Sequence, residues 1–143
     1  MAELVSEEET SRAFGTLRQL RTHLDSSEFQ QQLAVQRLIG YRLWGAFDLA
    51  GKLLGVLGGR VVTTFARGTH LHIDDVVVDA DVRRRGVGNR LMSFAQRHAE
   101  EHGCAWIFLD SRSEVINFYA ALGYEKHTAT LMRKRVQRKE HNE

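Results

Sequence analysis

The hydrophobic positions near the start of the chain recur with a helical period. Apolar side chains fall on one helical face over residues 14–24 and again over residues 28–39. Ser6 begins a capping-box pattern before the first run, and Asp25 stands as a cap before the second. Gly40 follows the second run, where a glycine commonly ends a helix. This part of the chain therefore predicts two helices.

After the second helix the pattern becomes extended. Runs rich in apolar and β-branched residues predict strands at 41–49, 53–65 and 71–78. Gly51 supplies the turn between the first two strands. Gly58 and Gly59 interrupt the second strand, and because no helix follows them they predict a bulge or close strand packing.

The second half of the chain mixes helical and extended patterns. Apolar residues from position 86 onward are spaced as one face of a helix. A strand, a helix and a strand are predicted after it, at 104–110, from about 114 and at 126–133. The expected fold is one domain over residues 1–143, of the α/β (α+β) class. It has a single mixed sheet, mostly antiparallel, with helices on both faces.

Composition and charge exclude several functional classes. Apolar residues make up 43% and charged residues 27% of the chain, as in ordinary soluble domains. The net charge of +2 is too small to indicate nucleic-acid binding, and the basic run at 133–139 is typical of a solvated tail. No apolar run approaches the ~18 residues of a membrane span, and no signal-peptide core is evident. A cytoplasmic location is therefore expected. His98 and His102 lack a third ligand, so no metal is expected.

The most informative stretch is Arg-Arg-Arg-Gly-Val-Gly at residues 83–88, between the valine-rich strand and the next helix. A helix N-terminus leaves about four backbone N–H groups unpaired, and glycines let a phosphate approach them. The segment lacks the Gly-Lys-Ser/Thr of a P-loop, and Leu91 stands where a dinucleotide fingerprint has its third glycine. The stretch predicts an anion site, with a diphosphate as the expected anion.

Arg-x-x-Gly-x-Gly after a strand that ends in Val78 and Asp79 resembles the acetyl-CoA site of the GNAT N-acetyltransferase superfamily. Residues 104–110 (CAWIFLD) and 117–124 (NFYAALGY) are similar to the family's next strand and later helix, so the resemblance covers residues 41–133. It implies a GNAT-like twisted sheet and an enzyme that uses acetyl-CoA as co-substrate, without a metal. The acetyl group would pass to a primary amine of a small molecule or peptide by direct attack with general-base assistance. A non-catalytic acyl-CoA-binding module is the alternative.

The resemblance also assigns residues to the cofactor. Backbone groups at the end of the central strand would bind the acetyl carbonyl and the pantetheine amides: Val76, Val77 and Val78. The following segment would form the diphosphate cradle: Arg83, Arg84, Arg85, Gly86, Val87, Gly88 and Asn89. Asn117 would add a hydrogen bond to the cofactor. The valines are equally typical of a sheet core, and the arginines of a solvated surface.

Acetyl transfer to an amine requires a base, because a lysine-like ammonium has a pKa near 10.4. In the family this base usually lies nine or eleven positions before the signature arginine, where this chain has Asp74 and His72. Asp74 is the first candidate and His72 the second. Strand alternation places Asp74 on the face of His72 and Asp75 on the opposite face. Tyr119 matches the family's proposed acid for the departing thiolate. Structural roles for all three candidates stay open.

The acceptor itself does not follow from the sequence. The resemblance places its pocket between the first two helices and at the last strands, here residues 21–29 and 126–133. Arg21 or Arg133 could pair with an acidic acceptor, and a plain surface position is the alternative for each. The expected partner is a small-molecule or peptide amine, with neither membrane nor nucleic acid, and a homodimer is compatible with the resemblance.

Overall fold

The computed structural model describes residues 1–83 and 85–138. They fall into two compact units, Met1–Asp110 and a second unit that begins at Ser111. The expectation of one domain over residues 1–143 stays a prediction. None of the helices in the described ranges is long and apolar enough to cross a membrane.

The regular elements follow the predicted order closely. In the first unit they are β1 (Ala2–Glu3), α1 (Glu7–Leu17), α2 (Ser26–Arg37), β2 (Arg42–Phe47), β3 (Leu53–Thr64), β4 (Gly68–Val78), α3 (Val87–Glu101) and β5 (Trp106–Leu109). Short 3-10 turns occur at Ala80–Val82 and, in the second unit, at Ser113–Val115. The second unit also contains α4 (Ile116–Ala121).

The first two helices begin at the side-chain caps that the sequence indicates. The Ser6 side chain accepts the N–H of Glu9, and the Glu9 carboxylate accepts the N–H of Ser6, which completes the capping box of α1. Asp25 caps α2 by accepting a backbone N–H of its first turn. Gly40 adopts a φ of 91° after α2, the left-handed conformation that glycine provides best. Both predicted helices are confirmed, although α1 ends at Leu17, earlier than its apolar spacing predicts.

One five-stranded sheet, ordered β1-β2-β3-β4-β5, forms the centre of the first unit. Strands β1 to β4 pair antiparallel in chain order, and β5 joins β4 in parallel. Parallel neighbours need a long crossover connection, and α3 provides it between β4 and β5. The predicted class, α/β with a mixed and mostly antiparallel sheet, is therefore confirmed.

Helices cover both faces of this sheet. On one face α1 and α2 contribute to a buried cluster that includes Ala13, Leu17, Phe29, Leu33, Leu43, Val56 and Val77. On the other face lies α3, where the Trp44 ring is 5.2 Å from the Phe94 ring and 4.8 Å from the His98 ring. A Cβ at Gly55 would lie 2.9 Å from Val87, so a glycine lets α3 approach β3. Alternate residues of β2 and β3 thus pack either against α1 and α2 or against α3.

The last predicted strand is not formed. In the described part of the second unit, residues 125–138 contain neither helix nor strand, so the prediction for 126–133 is wrong. Leu131 and Met132, its large apolar side chains, are 80% and 84% exposed. An extended pattern becomes a stable strand only when a neighbouring strand and a buried face stabilise it. The side chains of this segment are exposed, so it lacks the buried face.

Candidate active site

Strand β4 carries a bulge at the first candidate base. Gly58 of β3 pairs with Asp75, but the next residue of β3 pairs with Ile73. Asp74 is therefore an extra residue between two paired ones. The bulge shifts the alternation, so Asp75 comes onto the face of His72, the face that α1 and α2 cover. The prediction that these two residues lie on opposite faces is wrong, because strict alternation holds only for an unbroken ladder.

The glycine opposite the bulge makes room for a tyrosine. A Cβ at Gly58 would overlap the hydroxyl of Tyr41, so only a glycine lets this ring lie against β3. The hydroxyl donates to Oδ2 of Asp75 at 2.8 Å. Burial raises the pKa of Tyr41 well above its usual value, and the Asp75 carboxylate raises that pKa further. The phenol therefore stays protonated and holds Asp75. The bulge and close packing predicted from the glycine pair are both confirmed.

Two arginines compensate the two carboxylates of the bulge. Arg21, in the turn after α1, places Nε 3.1 Å from Oδ1 of Asp75 and donates Nη2 to the Asp74 carbonyl at 2.9 Å. Arg60 of β3 holds both Asp74 oxygens, with Nε 3.1 Å from Oδ2 and Nη2 3.4 Å from Oδ1. Sequence reasoning misses both Arg60 and Tyr41. The register of β3 and β4 brings Arg60 to Asp74, and packing against Gly58 brings Tyr41 to Asp75.

His72 lies beside this network. It is opposite Arg60 in the register of β3 and β4, and its Nε2 is 3.7 Å from Oδ1 of Asp74. That separation is beyond a hydrogen bond but within range of a strong electrostatic interaction. Burial lowers the pKa of His72 below its usual value; Asp74 opposes this effect and Arg60 adds to it. The imidazole is therefore neutral at neutral pH and able to accept a proton.

The end of β4 extends beyond its parallel neighbour. Strand β5 pairs with β4 only from His70 to Ile73. Within the described five-stranded sheet, no strand pairs with residues 74–78 along that edge. Backbone N–H and C=O groups there need partners from outside the sheet. The predicted cofactor residues Val76, Val77 and Val78 form this end, and Val77 also contributes its side chain to the core.

The start of α3 has the local geometry that the sequence predicts for an anion site. Gly86 precedes the helix with a φ of 76° and has no side chain with which to cap it, and the first turn contains no acidic residue. The N–H of Arg90 bonds to the carbonyl of Gly86, so the preceding N–H groups of the first turn have no helical partner. The exposed Arg83 and Arg85 flank the turn. Arg84 lies outside the described residues. These backbone donors and flanking charges suit a diphosphate.

The remaining predicted residues lie in the second unit, on α4. Asn117 is exposed in the first turn. The Tyr119 ring lies 5.1 Å from that of Phe118 and 5.8 Å from that of Tyr124. Burial raises the pKa of Tyr119 above its usual value, with Arg112 opposing the shift, so the phenol is protonated at neutral pH. The roles of Asn117 and Tyr119 stay predictions.

The two helical histidines belong to the face covered by α3. His98 is buried against Trp44, and its ring centroid lies 4.0 Å from that of His102. Burial lowers the pKa of His98, and the neighbouring His102 lowers it further, so His98 acts as a neutral core residue. Among the described residues, no group of three or more His, Cys, Asp or Glu side chains could hold a metal ion.

The chain matches a known family over most of its length. The sequence profile of the acetyltransferase (GNAT) family matches residues 7–124. The chain belongs to the acetyltransferase (GNAT) family. The resemblance seen in the sequence is thus confirmed, and so is the prediction of an N-acetyltransferase.

Individual relatives share the sequence or the fold. YhdJ of Bacillus subtilis (strain 168), named as an uncharacterized N-acetyltransferase, is 28% identical over 123 residues, which cover 83% of this chain and 86% of the relative. A glucosamine 6-phosphate N-acetyltransferase of Trypanosoma brucei brucei is 33% identical over 79 residues, or 54% of each chain. The solved structure of aminoglycoside N-acetyltransferase AAC(6')-Iy in complex with CoA has a TM-score of 0.75 and 20% identity, and covers 94% of this chain and 93% of that chain. This last likeness shows the fold.

Proposed function

We propose that this acetyltransferase moves an acetyl group from acetyl-CoA to a primary amine of a small molecule or a peptide, by direct attack with general-base assistance. The observation that carries the proposal is the N-terminus of α3, where Gly86 precedes the helix without a side chain to cap it and the first turn has no acidic residue. The end of β4 that extends beyond β5 supports it. Acetyl-CoA has a diphosphate for the first feature and pantetheine amides for the second, and it supplies an activated thioester.

Separate backbone regions hold the two parts of the cofactor. The N–H groups of Val87, Gly88 and Asn89 bind the diphosphate, since the helix leaves them unpaired. Arg83 and Arg85 add positive charge at its side, as does Arg84 in the sequence-based prediction. Backbone groups of residues 76–78 bind the pantetheine amides and orient the acetyl carbonyl. Asn117 is a further predicted donor.

The acceptor amine must lose a proton before it can attack, and the bulge of β4 carries the candidate bases. Asp74 and His72 lie on one face with their nearest side-chain atoms 3.7 Å apart. His72 is neutral near pH 7, whereas the carboxylate of Asp74 is engaged by Arg60. A base poised in this way contributes about 10²- to 10⁴-fold to a rate. A module that only binds acyl-CoA has no need of such a cluster.

Tyr119 is the proposed acid for the departing thiolate, and its test is the Tyr119→Phe variant. A phenol that stays protonated at neutral pH can donate its proton as the thiolate leaves. The variant keeps the ring and its contacts with Phe118 and Tyr124, so we expect unchanged thermal stability and acetyl-CoA affinity with a lower kcat. The measurement is kcat beside a melting curve. An unchanged kcat would show that the thiolate leaves without Tyr119, and a joint loss of rate and stability would make Tyr119 a structural residue.

The proposed reaction is tested with purified protein, acetyl-CoA and a panel of amines, by following release of free thiol. The panel contains glucosamine 6-phosphate, an aminoglycoside, a polyamine and peptides with free amino termini. We expect saturable, acceptor-dependent thiol release with at least one amine. Calorimetry with acetyl-CoA is the companion measurement. Tight binding without turnover on any acceptor would favour the acyl-CoA-binding module, and absence of binding would contradict both functions.

A further inference from the structure

We propose that Arg60 is a positioning residue of the active site: its guanidinium engages the Asp74 carboxylate and thereby leaves the His72 imidazole to accept the proton of the acceptor amine. The inference rests on the proposed function, because it assigns the base in that reaction. It reverses the order in which the sequence ranks Asp74 and His72. Arg60 itself lies on β3 and has no motif to mark it in the sequence.

The β-bulge creates the contact between Arg60 and Asp74. Arg60 and His72 are direct neighbours across β3 and β4, and the extra residue in β4 swings the Asp74 carboxylate toward both. Arg60 reaches Oδ2 through Nε at 3.1 Å and Oδ1 through Nη2 at 3.4 Å. Two contacts from a planar guanidinium fix the carboxylate in place more firmly than a single contact does.

Neither carboxylate of the bulge is free to act as the base. Protonation of Asp74 would cost it the charge-assisted contacts with Arg60. Asp75 accepts from the Tyr41 hydroxyl at 2.8 Å and pairs with Arg21 at 3.1 Å. Among the described residues, the polar contact of the His72 ring is the longer approach to Asp74, at 3.7 Å, and the imidazole is neutral near pH 7. The imidazole is therefore the group of this cluster best prepared to take a proton.

The charges around His72 indicate how Arg60 affects the pKa of its imidazole. Among the residues that the structure describes, four charged or titratable groups act on His72. Asp74 and His70 lie with it on β4, Arg60 faces it from β3, and Asp110 follows β5. The two carboxylates favour the imidazolium, whereas Arg60 and His70 disfavour it, and burial disfavours it most. Removing Arg60 deletes a repelling charge and also frees Asp74 to pair with the imidazolium. The pKa of His72 must then rise.

The proposed step balances as follows. The acceptor enters as an ammonium, and one N–H bond breaks as His72 takes that proton. The freed lone pair forms a bond to the acetyl carbon, and the C–S bond breaks with its electron pair remaining on sulfur. The nitrogen loses a second proton as the amide forms, and the thiolate gains one. The products are the acetylated amine, the free thiol and a protonated His72, which returns its proton to solvent.

The first test follows the ring of His72 by NMR through a pH titration of the free protein, so it requires no turnover. We expect the pKa of His72 to be higher in Arg60→Gln than in the wild type and to return toward the wild-type value in Arg60→Lys. Arg42→Gln is the matched control, because it removes a strand arginine that pairs with Glu3 away from the cluster. An unchanged titration of His72 in a folded Arg60→Gln protein would overturn the role of Arg60.

The second test separates the two candidate bases by pH profile. His72→Gln should lower kcat by about 10²-fold or more, the usual size of a general-base effect. Asp74→Asn should keep most of the turnover at neutral pH and move the acid limb of kcat/KM to lower pH, because a carboxylate that stabilises the imidazolium is gone. If Asp74→Asn loses as much turnover as His72→Gln, the carboxylate is the base and the inference is wrong. A wild type without turnover contradicts the proposed function instead, and the NMR titration still decides the effect of Arg60.

Discussion

The first turns of α1 and α3 differ in what completes them. In α1 the Ser6 side chain accepts the N–H of Glu9 at 3.1 Å, and the Glu9 carboxylate accepts the N–H of Ser6 at 3.0 Å. The turn also contains two further glutamates, which suit the positive end of the helix dipole. In α3 the residue before the helix is Gly86, which has no side chain to cap it, the first turn has no acidic residue, and arginines precede it in the sequence.

This is the difference expected between a helix end that is completed by its own chain and one that binds an anion. A completed cap such as that of α1 stabilises a protein by about 1 kcal/mol, and the acidic first turn of α1 repels an anion. The start of α3 lacks that stabilisation. The free N–H groups of its first turn and the positive end of its dipole can interact with an anion instead. Within residues 1–83 and 85–138, and apart from its chain neighbours, no atom lies within 4 Å of a Cβ built at Gly86.

Closing the cradle of α3 should have the largest effect. Gly88→Glu places a side chain and a negative charge in the first turn, which makes α3 resemble α1. We expect the Kd for acetyl-CoA to rise about 100-fold, because charge-assisted contacts to the diphosphate are worth about 1.5–3 kcal/mol each. Gly88 is preferred to Gly86, whose φ of 76° would strain any side chain. Calorimetry gives the Kd, and Ser93→Glu, an exposed change farther along α3, is the matched control.

Removing one flanking charge should have a smaller effect. Arg85→Gln takes away positive charge beside the first turn of α3, and we expect the Kd for acetyl-CoA to rise about tenfold. The salt dependence of binding should weaken as well, because one screened attraction is gone. Arg97→Gln removes an exposed arginine from the body of α3 and should leave Kd unchanged. Equal losses in the two variants would mean that net charge, and not the flank of the cradle, controls affinity.

The complementary change in α1 should affect stability alone. Ser6→Ala removes the acceptor for the N–H of Glu9 and should lower the free energy of unfolding by about 1 kcal/mol. We expect the Kd for acetyl-CoA to stay at its wild-type value. Urea unfolding and calorimetry on the same preparation measure the two quantities. A large loss of affinity in this variant would contradict the division between the two helix ends.

Local signals predict much of the fold. The capping residues Ser6 and Asp25 mark real helix starts, and Gly40 marks a real helix end. Each depends on contacts within a few residues, which a sequence displays directly. The glycine-opened helix is likewise a local feature, so the amino-acid sequence by itself predicts the cradle at the start of α3.

The arrangement around Asp74 depends on long-range contacts and is much harder to predict. The bulge follows from the register of β3 against β4, and Gly58 supports it only because Tyr41 occupies the space of its missing side chain. Arg60 is 14 residues from Asp74 along the chain, and Arg21 is 54 residues from Asp75. The failed strand at 126–133 has the same origin, since its apolar residues form an extended pattern without a buried face.

The central claim, that the open first turn of α3 binds the diphosphate of acetyl-CoA, is tested most directly by amide NMR. The backbone ¹H–¹⁵N spectrum of the wild-type protein is recorded during titration with acetyl-CoA. We predict that the amides of Val87, Gly88 and Asn89 shift strongly and saturate together, while those of the capped first turn of α1 stay in place. Saturable binding that leaves the three α3 amides unshifted would contradict the claim.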